Sequence, residues 1–255
     1  HIPMITYLLN RFLAPLPLVR RLCLTQYLVA RARPGLFSFN PDTTTCSVII
    51  PTRNEKGNIR SAIERLPRMG AHTEVIFVDG SSTDGTVEEI GSVIEEYRGK
   101  MDISLVHQVP LEQVNTRDSQ SGKMLKLGKG DAVRKGFKQA SGDILMILDA
   151  DLTVPPEELP KFFNLAVQRC GELVMGTRLV YPMEKQAMRF LNILGNKFFS
   201  FLFTWILEQP IKDTLCGTKV LHKDNYKLIE AGRSFFGDFD PFGDFDLIFG
   251  AAKLN

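Results

Sequence analysis

From residue 46 onward the chain alternates between short apolar runs and segments whose apolar residues recur at helical spacing. The runs CSVII, EVIFV, ISLVH, DILMIL and ELVMG, at 46–50, 74–78, 103–107, 143–148 and 172–176, are predicted as strands. Helices are predicted at 57–66, 84–97 and 131–140. Because buried strands separated by helices assemble into parallel sheets with right-handed crossovers, this pattern predicts an α/β fold. We expect a mostly parallel sheet flanked by helices on both faces.

The first 42 residues differ in character from this alternating region. Positions 1–41 contain five arginines and no acidic residue, whereas the net charge of the whole 255-residue chain is only +2. Their apolar spacing is helix-like but is broken at Pro15 and Pro17. We therefore predict an N-terminal helical, basic arm at 1–42, followed by one domain at 43–255 that is incomplete at its C-terminal end. The arm either packs on protein or lies against an anionic membrane surface, and both interpretations stay open.

The cysteines give no sign of a disulfide framework or a zinc site. Cys23, Cys46, Cys170 and Cys216 are widely spaced, form no CxxC pair and have no cluster of histidines nearby. This usage favours a reducing, cytoplasmic setting.

The most apolar part of the chain is FLNILGNKFFSFLFTWIL at 190–207. Asn192, Asn196 and Lys197 interrupt it, so it falls short of the roughly 18 uninterrupted apolar residues of a membrane span. We predict an amphipathic helix that lies in a membrane interface. A helix buried in the protein core is the alternative.

Polar residues follow the predicted strands at the point where each strand ends. PTRNE at 51–55 follows the first strand, Asp79 the second, Asp149 and Asp151 the fourth, and the dipeptide at 177–178 the fifth. Because the carboxyl ends of parallel strands share one edge of a sheet, these residues are predicted to meet in one ligand-binding crevice.

Asp149 and Asp151 are separated only by Ala150, directly after an apolar strand. In extended chain, residues two apart point the same way, so the two carboxylates are predicted to project together. Two like charges in one place need a cation beside them, and hard oxygen ligands suit Mg²⁺ or Mn²⁺. The alternative is an aspartate pair that only caps a turn.

Two further loops fit a phosphorylated ligand. GSSTDGT at 80–86 is a small, hydroxyl-rich turn that lets a nucleoside approach the backbone. GKGDAVRKG at 128–136 brings a lysine and an arginine into a glycine-rich helix start. The second motif matches neither the dinucleotide-binding fingerprint nor the P-loop, which argues against both of those classes.

Taken in order, these motifs resemble the family 2 glycosyltransferases of the GT-A, Rossmann-like fold, and most closely the polyprenyl-phosphate (dolichyl-phosphate) mannosyl- and glucosyltransferases. The resemblance covers roughly residues 46–250. It rests on SVIIPTRNE, VDGSSTDGT, GKGDAVRKG, DADLTVPPEEL and DTLCGTKVL, at 47–55, 78–86, 128–136, 149–159 and 213–221.

The resemblance implies a role for each matching residue. The donor, a GDP- or UDP-hexose, would be contacted by Pro51, Thr52, Arg53, Glu55, Asp79, Lys129, Gly130, Asp149 and Ala150. Asp149 and Asp151 would hold its diphosphate through the metal ion. In the segment at 176–196, Arg178 and Arg189 would receive the phosphate of a lipid acceptor, with Asn192 near them. Asp213 would orient the acceptor or close the site.

Three features depart from the family pattern. The glutamine that usually follows the metal motif by two residues in the mannosyl branch is replaced by Thr153, which weakens a mannose assignment. The usual pair of aspartates after the second strand is reduced to Asp79 alone. The chain also ends before the basic stretch and membrane helices that many relatives carry, which puts complete acceptor binding in doubt.

The implied reaction is an inverting transfer of a hexose from a nucleotide sugar to a polyprenyl phosphate. Because a lipid phosphate is already an anionic nucleophile, such a site needs positioning more than a histidine base. The expected setting is the cytoplasmic face of a membrane, with no nucleic-acid partner. A soluble or polysaccharide acceptor, a sugar-phosphate nucleotidyltransferase and a non-catalytic nucleotide-binding module remain alternatives.

Overall fold

A computed structural model describes residues 40–108, 128–177, 190–213, 216–232 and 244–254, with the backbone alone at 190–194 and 244–245. Almost all of the predicted N-terminal arm lies outside the described residues, as do Arg178 and Arg189. The boundary predicted at 42–43 therefore stays a prediction.

Six strands and seven α-helices are described. The strands are β1 (Thr45–Thr52), β2 (His72–Asp79), β3 (Asp102–His107), β4 (Ile144–Ile147), β5 (Leu173–Met175) and β6 (Lys219–His222). The helices are α1 (Lys56–Glu64), α2 (Thr86–Glu96), α3 (Lys129–Gln139), α4 (Leu159–Val167), α5 (Phe190–Leu207), α6 (Lys223–Ala231) and α7 (Asp244–Lys253).

The strands form one sheet in the order β3-β2-β1-β4-β6-β5. The pairs β1–β2, β2–β3 and β1–β4 are parallel, whereas β6 runs antiparallel to both β4 and β5. The predicted mostly parallel sheet is confirmed, and all five predicted strands are present. Sequence reasoning missed β6, because four residues that begin with a lysine and end with a histidine do not read as a buried strand.

Helices cover both faces of the sheet, and the two faces divide the core by strand alternation. Val48, Val75 and Met146 point to the face packed by α1, α2 and α4, while Ile49, Ile76 and Ile147 point to the face packed by α3, α6 and α7. Strands in this position are buried on both sides, which explains their continuous apolar sequences.

The connections place a crevice at the centre of the carboxyl edge. From β1 the chain moves to β2 on one side, and β4 later pairs with β1 on the other side. This change of direction opens a gap between the ends of β1 and β4, where open α/β sheets bind ligands. Because β6 is antiparallel, residues 216–218 enter the sheet at this same edge.

The opposite, amino edge of the sheet is tied by Glu74 of β2. Its carboxylate accepts hydrogen bonds from the Ser47 hydroxyl, from the backbone N–H and hydroxyl of Ser141 (2.6 and 2.9 Å) and from the Gly142 N–H at 3.2 Å. Burial by itself raises the pKa of Glu74, but these hydrogen bonds outweigh burial and the pKa is lowered.

Candidate active site

The crevice at the carboxyl edge is a cleft of about 370 Å³. It is lined by the ends of β1 and β4, the loops after β2 and β3, and the start of α3. The lining residues are Pro51, Thr52, Arg53, Glu55, Gly80, Gln108, Gly128, Lys129, Ala132, Asp149, Ala150 and Asp151. Of the predicted donor residues, Asp79 and Gly130 are not among them.

Hydrogen bonds tie the loop after β1 to the loop after β2. The backbone N–H of Asn54 donates to the Ser82 hydroxyl at 2.9 Å, and the Asn54 side-chain oxygen accepts from the Thr83 N–H at 2.8 Å. The Glu55 N–H donates to the Thr86 hydroxyl at 3.0 Å. The hydroxyl-rich turn therefore builds and stiffens one wall of the cleft, a role that its sequence did not reveal.

Asp79 holds the turn that forms this wall. Its side chain is only 3% exposed and accepts hydrogen bonds from the backbone N–H of Ser81 at 3.0 Å and of Ser82 at 3.3 Å. Gly80, the next residue, lines the cleft itself. The contact between Asp79 and a nucleoside stays a prediction, and what the structure describes is a carboxylate that holds the turn.

The chain bends at the two aspartates instead of continuing as a strand. β4 ends at Ile147, and the Leu152 N–H donates to the Asp149 carbonyl at 3.0 Å, closing a turn in which Leu152 has a φ of 54°. The extended geometry predicted for this pair was wrong. Both carboxylates nevertheless line the cleft, with the Asp151 side chain accepting from the Thr153 N–H at 3.0 Å.

A cation lies beside Asp149, and it belongs to the protein. The Lys129 ammonium, at the first residue of α3, donates to Asp149 Oδ1 and forms an ion pair with it. The backbone of Gly217, just before β6, lies so close that a Cβ at this position would overlap both Asp149 oxygens and Lys129 Nζ. Three distant segments thus meet at one carboxylate, and a side chain at 217 would displace the Lys129–Asp149 pair from this arrangement.

The donor set fits a Mg²⁺ or Mn²⁺ ion that is shared with a phosphorylated ligand. The Lys129 ammonium marks the position beside Asp149 as one where positive charge is stabilised. Among the described residues, no three His, Cys, Asp or Glu side chains form a group that holds a metal by itself. Mg²⁺ commonly binds through one or two carboxylates plus water and substrate phosphates, and Asp149 and Asp151 supply that share.

Sequence comparison shows what kind of chain carries this cleft. The profile of glycosyl transferase family 2 matches residues 47–109 and 125–227, more than half of the chain. The chain belongs to glycosyl transferase family 2. The matched region contains every described residue that lines the cleft.

Several curated relatives are named as transferases of a polyprenyl phosphate. The dolichol-phosphate mannosyltransferase of Pyrococcus furiosus is 32% identical over 188 residues, 72% of this chain and 48% of that protein. The Saccharomyces cerevisiae enzyme of the same name is 38% identical over 123 residues, 46% of this chain and 39% of that protein. The undecaprenyl-phosphate 4-deoxy-4-formamido-L-arabinose transferase of Aeromonas hydrophila is 30% identical over 142 residues, 54% of this chain and 38% of that protein. The chain therefore spans about half or less of the length of these relatives.

Solved structures confirm the predicted GT-A fold. The UDP complex of glucosyl-3-phosphoglycerate synthase from Mycobacterium tuberculosis aligns with a TM-score of 0.53 and 20% identity, over 80% of this chain and 63% of its own. The complex of that enzyme with Mn²⁺, UDP and glucosyl-3-phosphoglycerate gives a TM-score of 0.52 at 20% identity, over 86% of this chain and 69% of its own.

Two residues of the motif at 213–221 have structural roles beside the cleft. Asp213 is 1% exposed, and its Oδ1 accepts from Asn196 Nδ2 at 2.8 Å and from the Cys216 N–H at 3.1 Å. Lys219, fully buried in β6, donates from Nζ to the Cys216 carbonyl at 2.8 Å. Together, Asp213 and Lys219 position the backbone at 216–217, which lies against Asp149. Asp213 itself does not line the cleft.

Gln108 is a cleft residue that sequence reasoning missed. It follows β3, is 4% exposed, and its side-chain NH₂ donates to the Gly128 carbonyl at 2.8 Å and to Asp131 Oδ2 at 3.0 Å. It thereby holds the start of α3, which carries Lys129. The only available signal was its place directly after a predicted strand.

The helix α5 is amphipathic, but its polar side chains face the protein and its large apolar side chains face outward. Asn196, Ser200 and Thr204 recur every four residues and bond the segment 211–213, the latter two through carbonyl oxygens at 3.1 and 3.2 Å. Its large apolar side chains face outward instead: Phe198, Phe199, Phe201, Trp205 and Ile206, here called the aromatic face, are 42–73% exposed. The alternative of a buried core helix is therefore wrong for this surface. Within the described ranges, none of the helices has the length and apolar character needed to cross a membrane.

Proposed function

We propose that this protein is an inverting, metal-dependent hexosyltransferase that moves a sugar from a nucleoside-diphosphate donor to a polyprenyl phosphate. The observation that carries the proposal is the convergence of Asp149, Asp151 and Lys129 on the cleft at the β1–β4 switch point. Its membership of family 2 and its polyprenyl-phosphate relatives give the reaction class and the acceptor class.

The donor lies in the cleft with its nucleoside toward β1 and its diphosphate toward Asp149. Pro51 near the end of β1 and Arg53 just after it lie on the nucleoside side, and Gly80 lets a base or ribose approach the backbone. A bound Mg²⁺ or Mn²⁺ ion neutralises the charge that develops on the departing diphosphate. The protein's share is to hold carboxylates and an ammonium in place before the reaction, so that little reorganisation is needed during it.

The acceptor needs no protein base if it is a phosphate. Its oxygen is already anionic at neutral pH and attacks the anomeric carbon from the face opposite the leaving diphosphate. The residues that line the described cleft include no histidine, which accords with this chemistry. Arg178 and Arg189 are proposed to bind the acceptor phosphate, because a guanidinium matches phosphate oxygens with two parallel N–H donors.

The aromatic face of α5 is proposed to lie in a bilayer surface, at the cytoplasmic side, where a polyprenyl phosphate exposes its head group. Aromatic and aliphatic side chains on the outer face, with polar side chains inward, suit a helix in the plane of the interface. Replacing Phe201 and Trp205 by serine should reduce flotation with phospholipid vesicles. Leu228→Ser is the matched control, since Leu228 is a single exposed leucine on α6. Equal flotation of both variants would contradict the membrane assignment.

Product analysis tests the reaction itself. The protein should be incubated with Mn²⁺, a panel of GDP- and UDP-hexoses and a short-chain polyprenyl phosphate in detergent. We expect release of a nucleoside diphosphate together with a glycosylated lipid phosphate. Release of pyrophosphate would instead mark a nucleotidyltransferase, and transfer only to a soluble sugar would remove the lipid acceptor from the proposal. Binding of the donor without turnover would mark a non-catalytic module.

A further inference from the structure

The ion pair between Lys129 and Asp149 is open to the cleft. The two side chains are 32% and 24% exposed, and both residues line the cleft wall. The pair therefore lies where a donor diphosphate is proposed to bind, in contrast to Lys219, which is fully buried in β6.

The location of Lys129 on its helix is unfavourable for a positive charge. It is the first residue of α3, where the positive end of the helix macrodipole disfavours a cation. The carboxylate of Asp149 offsets this cost. A helix N-terminus that also carries an ammonium is well suited to a diphosphate, which brings more negative charge than one carboxylate.

Gly217 restricts the space around the pair. Its backbone lies against both Asp149 oxygens and against Lys129 Nζ, so that even one added carbon would overlap them. The segment before β6 is itself held by Asp213 and Lys219. A divalent ion that ligates Asp149 would therefore have to share a crowded carboxylate with the Lys129 ammonium.

We propose that Lys129 is a placeholder cation that couples metal binding to donor binding. In the donor-free protein its ammonium neutralises Asp149. When the metal and the nucleoside diphosphate arrive together, the ammonium leaves Asp149 for the phosphate oxygens, which its flexible four-carbon stem allows. Metal alone must displace the ammonium without offering it a new partner, so metal alone binds weakly. This inference rests on the proposed function, since it requires Asp149 to ligate a metal.

The test measures Mn²⁺ binding by the loss of the free-ion signal in electron paramagnetic resonance, without any turnover. Lys129→Met should bind Mn²⁺ alone roughly 1.5- to fivefold more tightly than the unchanged protein, the range expected for loss of one partly exposed ion pair. Lys129→Arg keeps the charge and should bind Mn²⁺ as the unchanged protein does. Lys138→Met removes an exposed lysine from the last turn of the same helix and controls for net charge.

The second arm adds UDP or GDP. In the unchanged protein, the diphosphate should tighten Mn²⁺ binding, and Lys129→Met should lose most of that enhancement, because linkage makes the two effects reciprocal. If Lys129→Met binds Mn²⁺ alone no more tightly than Lys138→Met does, the placeholder role is overturned while the metal site stands. If no variant binds Mn²⁺ even with either diphosphate, the proposed donor site fails, and this inference fails with it.

Discussion

The two edges of the sheet each hold a carboxylate at a junction of three segments, but they hold it differently. At the amino edge, Glu74 accepts hydrogen bonds only from neutral donors among its described partners, and these come from β1 and from the turn before β4. At the carboxyl edge, Asp149 is paired with the ammonium of Lys129 in a cleft. Neutral N–H and O–H groups that are built into the backbone and short side chains cannot be exchanged for a ligand, whereas a flexible lysine can. A carboxylate thus has a structural role when its partners are fixed neutral donors, and it can bind a ligand when its partner is a flexible cation.

The largest expected effect is at the carboxyl edge. Asp149→Asn should lower kcat/KM for sugar transfer by roughly 100- to 1,000-fold, the range seen when a group that stabilises developing charge is removed. Its melting temperature should change little, because the carboxylate is partly exposed and bonded to one flexible partner. Calorimetry with UDP or GDP should show binding that is lost on adding EDTA in the unchanged protein. Equal affinity with and without metal would contradict the metal assignment.

The second expected effect concerns the arginines assigned to the acceptor. Arg178→Ala and Arg189→Ala should each reduce transfer to a polyprenyl phosphate by roughly 2–3 kcal/mol of transition-state stabilisation, as for a charge-assisted contact. Donor binding should be unchanged, and Arg169→Ala, which lies after α4, serves as a control. The measurement needs conditions under which the protein transfers sugar to the lipid phosphate. Full transfer by both variants under those conditions would leave the donor half of the proposal and remove the acceptor half.

The third expected effect is at the amino edge, where we expect stability to fall while donor binding is kept. Glu74→Gln should lower the free energy of unfolding by about 1–3 kcal/mol, since a neutral amide oxygen accepts these hydrogen bonds more weakly than a carboxylate oxygen and the amide also introduces an NH₂ group. Affinity for a nucleoside diphosphate with Mn²⁺ should be retained, because Glu74 lies at the far edge of the sheet. Urea unfolding monitored by circular dichroism gives the first quantity and calorimetry the second. If Glu74→Gln kept its full stability but lost affinity for the donor, the contrast between a structural Glu74 and a ligand-binding Asp149 would be wrong.

The smallest expected effect is the pH dependence of the stabilisation that Glu74 contributes. Because the pKa of Glu74 is lowered in the folded protein, the unfolded chain binds more protons as the pH falls below the ordinary value of 4.5. The stabilisation is thus fully present above pH 4.5 and is lost as the pH falls through the folded pKa. Glu74→Gln should show a flatter decline of unfolding free energy over this acid range than the unchanged protein. Parallel curves would show that the carboxylate contributes nothing as an anion.

Much of the site could be predicted from the sequence, and where the prediction was wrong the cause is local. Of the strand-end residues expected to share one crevice, those at 51–55 and 149–151 line it, whereas Asp79 does not. The start of α3 at 128–129, expected to meet a phosphorylated ligand, lines the same cleft. The geometry of Asp149 and Asp151 was predicted wrongly, since a strand pattern gives no sign of where the chain begins to turn. That Asp79 and Asp213 contact ligands stays a prediction. In the structure the Asp79 carboxylate accepts from backbone N–H groups and lies 3.8 Å from His107 Nδ1, and Asp213 accepts from Asn196 and from the Cys216 N–H, contacts that a motif does not specify.

The sequence by itself determined the alternation of strands and helices, the parallel core and the edge at which the polar residues collect. These features follow from periodicities of two and 3.6 residues, which act over short stretches of chain. Only the tertiary structure decided that β6 inserts between β4 and β5, that α5 turns its aromatic face outward, and that Lys129 and Gly217 converge on Asp149. The physical reason is distance along the chain: the Lys129–Asp149 pair joins residues 20 positions apart. No local pattern specifies which partner such a carboxylate meets, because packing of the whole sheet sets that contact.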